Sequence, residues 1–197
     1  MVYDKAFVDR WLSEFSAEII KSKEYLSELD APIGDSDHGF NMARGVEAYQ
    51  ATIAKTPAKD CGDDFLKLAM AMISRVGGAS GPLYGSAFLG MSKALKGKAE
   101  FNDADFATAV EEGLKAIQSR GHAREGEKTM VDVWGPVSKA LKEGSLTSKQ
   151  VEDFVQATKP LRATKGRASY LGERSVGHID PGATSSGIFF KTFLDTK

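Results

Sequence analysis

The sequence contains one cysteine, Cys61, in 197 residues. A single thiol cannot close an internal disulfide, so a disulfide-stapled fold is excluded and a reducing compartment is expected. Cys61 lies in Lys59-Asp60-Cys61-Gly62-Asp63-Asp64. Three nearby carboxylates raise a thiol pKa, the wrong direction for a nucleophile, so Cys61 reads as structural. No stretch approaches 18 apolar residues, so no membrane-spanning helix is expected. The opening Met-Val-Tyr-Asp-Lys lacks a basic region followed by an apolar run, so no signal peptide is expected and the cytoplasm is the expected location. Neither sign of charge is in excess: 26 Lys and Arg stand against 27 Asp and Glu, a formal net charge of −1. That argues against a general electrostatic attraction to nucleic acid or to an anionic membrane.

What is present is ordinary for a globular chain, with 42% hydrophobic and 27% charged residues. Folded, a chain of this size exposes roughly 9,100 Å², against roughly 31,000 Å² when extended. It can bury a sizeable core without a disulfide or a structural metal. One domain spanning 1–197 is expected.

The apolar period is helical almost throughout. Phe7, Trp11, Phe15 and Ile19 recur every four residues and predict a first helix over 4–29. Further helices are predicted over 39–55 (Met42, Val46, Tyr49, Ile53 inward) and 62–76 (Phe65, Leu68, Met72, Ile73 inward). Others follow over 82–96, from Asn102 onward, over 128–143, over 147–163 and over 181–195. Asn102 and Asp180 are suited to N-caps, Thr147 with Gln150 forms a capping box, and Pro181 fits a first helical position. Pro136 predicts a kink or a late start in the sixth helix. No convincing period-two strand is visible. The expected fold is all-α, an eight-helix up-and-down antiparallel barrel or bundle, because short loops force neighbouring helices to run oppositely.

In such an arrangement alternate connections fall at the same end. The loops 30–39, 77–82, 121–127 and 164–182 follow helices one, three, five and seven, so they are expected to share one rim. The first is Asp30-Ala-Pro-Ile-Gly-Asp35-Ser-Asp37-His38-Gly39. A helix C-terminus already carries partial negative charge, so three carboxylates there are unfavourable unless a cation is present. Hard oxygen ligands favour Mg²⁺ or Ca²⁺. An EF-hand starting at Asp35 fails, since its sixth position is Phe40 and its twelfth Val46. A partly hydrated Mg²⁺ shared with a phosphate fits better; a solvated acidic turn with Asp37 capping the next helix is the competing reading.

The second loop, Gly77-Gly-Ala-Ser80-Gly81-Pro82, carries small residues into a helix, where backbone N–H groups can approach a phosphate. No Gly-Lys-Ser/Thr follows, which excludes a Walker A motif; a tight helix–helix turn is the alternative. The third, 166–182, is long and rich in hydrogen-bonding groups, as functional loops often are. Arg167, Arg174 and His178 there are suited to phosphate or to a partner's acids, or to surface ion pairs. His38 and His122 sit in two different rim loops. Met130 and Trp134 read as core.

Taken together these segments resemble one family. Leu29–Gly45 is similar to the metal loop of dihydroxyacetone kinases. Gly77–Gly85, Gly126–Asp132 and Ala168–Ser185 match the same family in order. The resemblance runs from about residue 5 to 195. With no dihydroxyacetone-binding domain attached, the chain is similar to the ADP-binding L subunits of phosphotransferase-system-dependent dihydroxyacetone kinases. The resemblance implies a barrel whose rim holds ADP or ATP as a bound coenzyme with two Mg²⁺ ions. Asp30, Asp35 and Asp37 match the metal ligands. His38, Asn41, Ala79, Ser80 and Leu83 match phosphate-side contacts, with Gly39 and Phe40 in the same nucleotide-binding set. Gly121, Met130, Arg167, Asp180, Pro181 and Gly182 match positions around the ribose and adenine. Ser36 departs from the usual glycine; if that position needs a positive φ, serine strains the loop.

The resemblance further implies a phosphotransferase for which a phosphohistidine M subunit phosphorylates the bound ADP. The γ-phosphoryl then passes to dihydroxyacetone on a K subunit, and a transcriptional regulator is a further candidate partner. Two other readings stand beside it: an ATP-dependent kinase subunit for another short ketose, and a non-catalytic nucleotide module that binds a regulator.

Overall fold

A computed structural model describes residues 1–197. Nine α-helices and one 3₁₀ segment account for the architecture. They are α1 (Lys5–Lys21), α2 (Lys23–Asp30), α3 (His38–Lys55), α4 (Cys61–Arg75) and α5 (Ser80–Leu95). Then come α6 (Asp103–Gly121), α7 (Val131–Lys142), α8 (Ser148–Gln156), the 3₁₀ segment Arg167–Ser175 and α9 (Pro181–Thr196). Helix α1 packs on α3, and each of α3 to α8 packs on the next. α9 packs back on α1, which closes a ring of eight, and α2 continues α1 and lies on α3 and α9. This is the expected barrel.

Its interior is filled rather than hollow. Trp11 meets Phe65, Phe106, Phe189 and Phe193 at centroid distances of 4.7 to 5.6 Å. Phe189 also packs on Phe88 and Trp134. These rings come from α1, α4, α5, α6, α7 and α9, so one aromatic cluster ties the staves together. The exposed surface, 9001 Å², agrees with the size-based expectation.

Four elements depart from the sequence-based expectation. The first helix breaks at Ser22, because Gly39 at the start of α3 presses against its backbone. A Cβ on Gly39 would lie 1.8 Å from the Lys23 carbonyl oxygen. The seventh helix stops at Gln156, not 163, since Pro160 supplies no N–H and disfavours helix before it. Two three-residue strands, β1 (Val2–Asp4) and β2 (Glu100–Asn102), pair antiparallel with Tyr3 opposite Phe101; they are too short to show alternation. Ile73, expected inward, is exposed, lying along α5 over Gly85.

The caps are as expected. Asn102 and Thr147 form capping boxes, and the Asp180 carboxylate accepts the Ala183 N–H at 2.8 Å. Helix α7 starts late, at Val131, and carries Pro136 inside it. Cys61 is buried; burial and the Asp64 carboxylate push its thiol up to about 11, which keeps it unreactive. No helix is long and apolar enough to cross a membrane.

Candidate functional site

The four loops expected at one rim do meet there. They surround a cavity of about 730 Å³, within the usual range for a small-molecule site. The cavity wall includes Asp30, Asp35 and Asp37 together with His38, Asn41, Ala79, Ser80, Leu83, Gly121, Met130, Arg167, Asp180, Pro181 and Gly182. Gly39 and Phe40 are not in the wall. Gly39 is buried against α2, and Phe40 is an exposed ring on the first turn of α3.

Asp30, Asp35 and Asp37 bring one carboxylate oxygen each to within 4.8 Å of one another. The half-buried Asp30 organises the loop. Its Oδ2 accepts the N–H groups of Asp37 (3.0 Å) and His38 (3.3 Å). Asp37 stands at the N-cap of α3 but its side chain makes no capping bond. The capping-turn reading therefore loses its residue, and Asp37 is left facing the cavity. Burial is the main cause holding the Asp30 carboxyl above its ordinary value, and Asp35 and Asp37 add repulsion. A cluster of oxygen donors whose like charges repel suits a hard divalent cation.

Two backbone details shape this loop. Gly34 lies against Asp30, and a Cβ there would fall 2.0 Å from Asp30 Oδ1. Ser36 has φ 62°, the left-handed region, so the strain anticipated for serine at this position is present.

On the facing wall α5 begins at Ser80. The first N–H groups of a helix have no intrahelical acceptor and carry partial positive charge. Proline at position 82 removes none that the helix would use. His38 links the two walls: its Nδ1 is 3.2 Å from Ser80 Oγ and its Nε2 is 2.9 Å from Ser185 Oγ. Burial pushes the imidazole down to about 4, so the ring is neutral at pH 7.

Lys128 is not singled out by sequence reasoning. Its ammonium is buried and donates to the carbonyls of Thr158 (2.6 Å), Lys159 (3.4 Å) and His178. The Thr158 and Lys159 carbonyls also accept the backbone N–H groups of Leu161 (3.2 Å) and Gly177 (2.8 Å), so Lys128 shares them and is the single donor to His178. Lys128 has φ 62°, in a turn that sets Met130 in the cavity wall. Its only signal in the sequence is its place inside Gly126–Asp132. Asp180, pushed up to about 7 by burial despite the nearby Lys128 cation, completes this side.

Arg167 Nη1 lies 2.9 Å from Asp35 Oδ2, joining the 3₁₀ segment to the acidic loop. Arg174 is exposed on that segment and outside the cavity wall, and His122 is an exposed left-handed C-cap of α6. His178 takes part through its carbonyl, not its ring, in the contact with Lys128.

Comparison with known proteins places these features in a family context. Residues 32–195 match the model of the DAK2 domain. The PEP-dependent dihydroxyacetone kinase 1, ADP-binding subunit DhaL, of Listeria innocua is 52% identical, covering 100% of this chain and 99% of that protein. The PTS-dependent counterpart of Lactococcus lactis is 50% identical over 94% of each. The triokinase/FMN cyclase of Rattus norvegicus is 30% identical over 93% of this chain, which spans 34% of that protein. The crystal structure of the C. freundii dihydroxyacetone kinase with AMP-PNP and Mg²⁺ superposes with a TM-score of 0.77. It is 22% identical, covers 100% of this chain and is spanned by it over 35% of its length. At that identity the likeness speaks for the fold.

Proposed function

The chain belongs to the DAK2 domain family, and from that premise we propose that it is the nucleotide-binding subunit of a dihydroxyacetone kinase fed by a phosphotransferase system. One observation carries the reading: a single cavity has three gathered carboxylates on one wall and a helix N-terminus on the other. The first favours a divalent cation, the second an anion, and a nucleotide diphosphate with magnesium supplies both. Relatives whose names print ADP-binding and dihydroxyacetone kinase support it along the whole chain.

In this reading Asp30, Asp35 and Asp37 hold two Mg²⁺ ions. His38, Asn41, Ala79, Ser80 and Leu83 face the phosphates, and Gly39 and Phe40 support that turn from behind. Gly121, Met130, Arg167, Asp180, Pro181 and Gly182 form the ribose and adenine side. When bound, ADP supplies a carrier that takes a phosphoryl group from a phosphohistidine M subunit and gives it to dihydroxyacetone on a K subunit. The chain itself contributes positioning and charge neutralisation, which are what phosphoryl transfer needs most. Cytoplasmic residence follows from such partners, and a transcriptional regulator is a further partner of the same surface.

The deciding experiment is to purify the protein, measure bound ADP and Mg²⁺, and assay turnover with the K subunit. Phosphoenolpyruvate plus the phosphotransferase proteins is expected to support it. Turnover with ATP alone at equal rate would favour the exchanging kinase, and ADP binding without turnover would favour the regulatory module.

Two variants probe this reading. Ser36→Gly is expected to keep or improve Mg²⁺–ADP affinity in a calorimetric titration, because glycine relieves left-handed strain of about 1 kcal/mol. A clear drop would make the Ser36 hydroxyl a ligand or phosphate contact. Arg174→Glu places a negative charge on the exposed 3₁₀ segment beside the rim. It is expected to weaken transfer in both directions while ADP stays bound. The control is Lys142→Glu at the opposite end of α7, where Lys142 pairs with Glu111 at 2.9 Å. Losing that exposed pair is expected to leave both stability and transfer nearly unchanged. If the control loses transfer and Arg174→Glu does not, the docking face is elsewhere.

A further inference from the structure

Behind the cavity a line of buried polar side chains runs from the rim into the aromatic core. Trp134, Tyr84, Ser185 and Ser186 are fully buried, and His38 nearly so. Trp134 Nε1 donates to Ser186 Oγ at 3.0 Å. Ser186 Oγ is 2.8 Å from the Tyr84 hydroxyl, which is 2.6 Å from Ser185 Oγ. Ser185 Oγ is 2.9 Å from His38 Nε2, and His38 Nδ1 is 3.2 Å from Ser80 Oγ. The line thus ends at a side chain in the cavity wall.

We propose that this line is a one-way chain of donors, started by the Trp134 indole, that fixes the tautomer of His38 and turns the Ser80 hydroxyl proton toward the ligand. An indole N–H can only donate, so direction is imposed at the buried end. Having accepted from Trp134, Ser186 has the Tyr84 oxygen as its acceptor. The Tyr84 proton then goes to Ser185, its shortest contact. Ser185 has two acceptors in reach: His38 Nε2 at 2.9 Å and the Gly182 carbonyl at 3.1 Å. That carbonyl sits inside the first turns of α9, where the backbone N–H four residues on serves it, so it does not depend on Ser185. The ring nitrogen has no other donor. With Nε2 accepting, a neutral imidazole carries its proton on Nδ1 and donates it to Ser80 Oγ. The Ser80 hydroxyl proton then has no partner along the chain and is free for an anionic oxygen in the cavity. Fully satisfied buried networks of this kind hold a unique geometry.

In the competing arrangement Ser185 gives its proton to Gly182 and accepts from both Tyr84 and His38 Nε2. The Ser80 proton is then drawn into the ring, and the ligand meets only lone pairs. Trp134, Tyr84, Ser185 and Ser186 are positioning residues in this proposal, which rests on the phosphate-facing reading of Ser80.

The test is a two-bond ¹H–¹⁵N correlation spectrum of the His38 ring in the ligand-free protein, paired with Mg²⁺–ADP titration. The wild type is expected to show the Nδ1–H pattern. Tyr84→Phe deprives Ser185 of its donor, so the ring is expected to switch to the Nε2–H pattern and ADP affinity to fall about tenfold, as for one hydrogen bond to a charged group. Ser186→Ala removes an equally buried hydroxyl but leaves the Tyr84–Ser185 contact. With the indole's link cut, direction is no longer imposed, so both ring patterns are expected, with a smaller loss of affinity than in Tyr84→Phe; Nδ1–H alone there would overturn the role given to Trp134. An Nε2–H pattern in the wild type, or Nδ1–H persisting in Tyr84→Phe, would overturn the proposal. The spectrum judges the chain without any nucleotide present. Failure of the wild type to bind ADP would instead strike at the functional reading.

Discussion

Asp35→Asn is expected to abolish retention of ADP while leaving far-UV helicity nearly unchanged. Asp35 is exposed and lies in a loop. It does two things. It completes the carboxylate cluster with Asp30 and Asp37, and it pairs with Arg167. The second is an exposed ion pair, which contributes at most about 1 kcal/mol. The first is a charge that a hard cation needs. Asparagine keeps an oxygen donor and the shape but removes a full negative charge. Disturbing groups one shell out from a metal already costs roughly 10–100-fold, so losing a direct ligand should cost about 100-fold or more. The measurement is ADP per protein after gel filtration, with circular dichroism on the same sample. If the variant unfolds, and its residual folded fraction still carries ADP, Asp35 is structural and the metal reading is wrong.

Much of this site is legible in the sequence, and the reason is arithmetic. Eight amphipathic stretches with short connections put alternate loops at one end, so counting alone brings the polar loops together. The caps at Asn102, Thr147 and Asp180 are local motifs, each decided within four residues, and local motifs survive folding. What the sequence hides depends on contacts far apart in the chain. The break at Ser22 exists because Gly39, 17 positions later, occupies the space beside Lys23. Ile73 lies on the apolar stripe by periodicity, yet it ends up exposed against the side-chain-free Gly85 of the neighbouring helix. Gly34 reads as an ordinary turn residue, and only the folded loop sets the Asp30 carboxylate against it. The β1–β2 pair joins residues about 100 positions apart through three residues each, too few for a period. Lys128 is hidden for a related reason. A lysine in a polar loop reads as solvated, and nothing local announces that the carbonyls of Thr158, Lys159 and His178 will converge on it.

Lys128→Met should therefore be strongly destabilising. The side chains are similar in length, so the loss is of charge and donors rather than of volume. An ammonium offers three protons, and Lys128 directs them to Thr158, Lys159 and His178. Thr158 and Lys159 keep the Leu161 and Gly177 N–H groups as donors, but the His178 carbonyl is left without one, which costs about 1–3 kcal/mol. The lost bonds to the other two carbonyls add about 0.5–1 kcal/mol each, so a loss of about 2–4 kcal/mol is expected. For a chain of this size that lowers Tm by about 10 °C. A second consequence reaches the cavity. The Lys128 cation opposes the effect of burial on Asp180, which already stands at about 7. Without it the Asp180 carboxyl moves further up and is mostly protonated at pH 7. Its hold on the Ala183 N–H, and with it the first turn of α9, then weakens. Thermal unfolding measures the first effect. Hydrogen exchange should show lost protection across 158–182, with α3 to α5 unchanged. A Tm within about two degrees of the wild type, with protection of 158–182 intact, would mean that the His178 carbonyl finds another donor and that Lys128 does not hold this wall of the site.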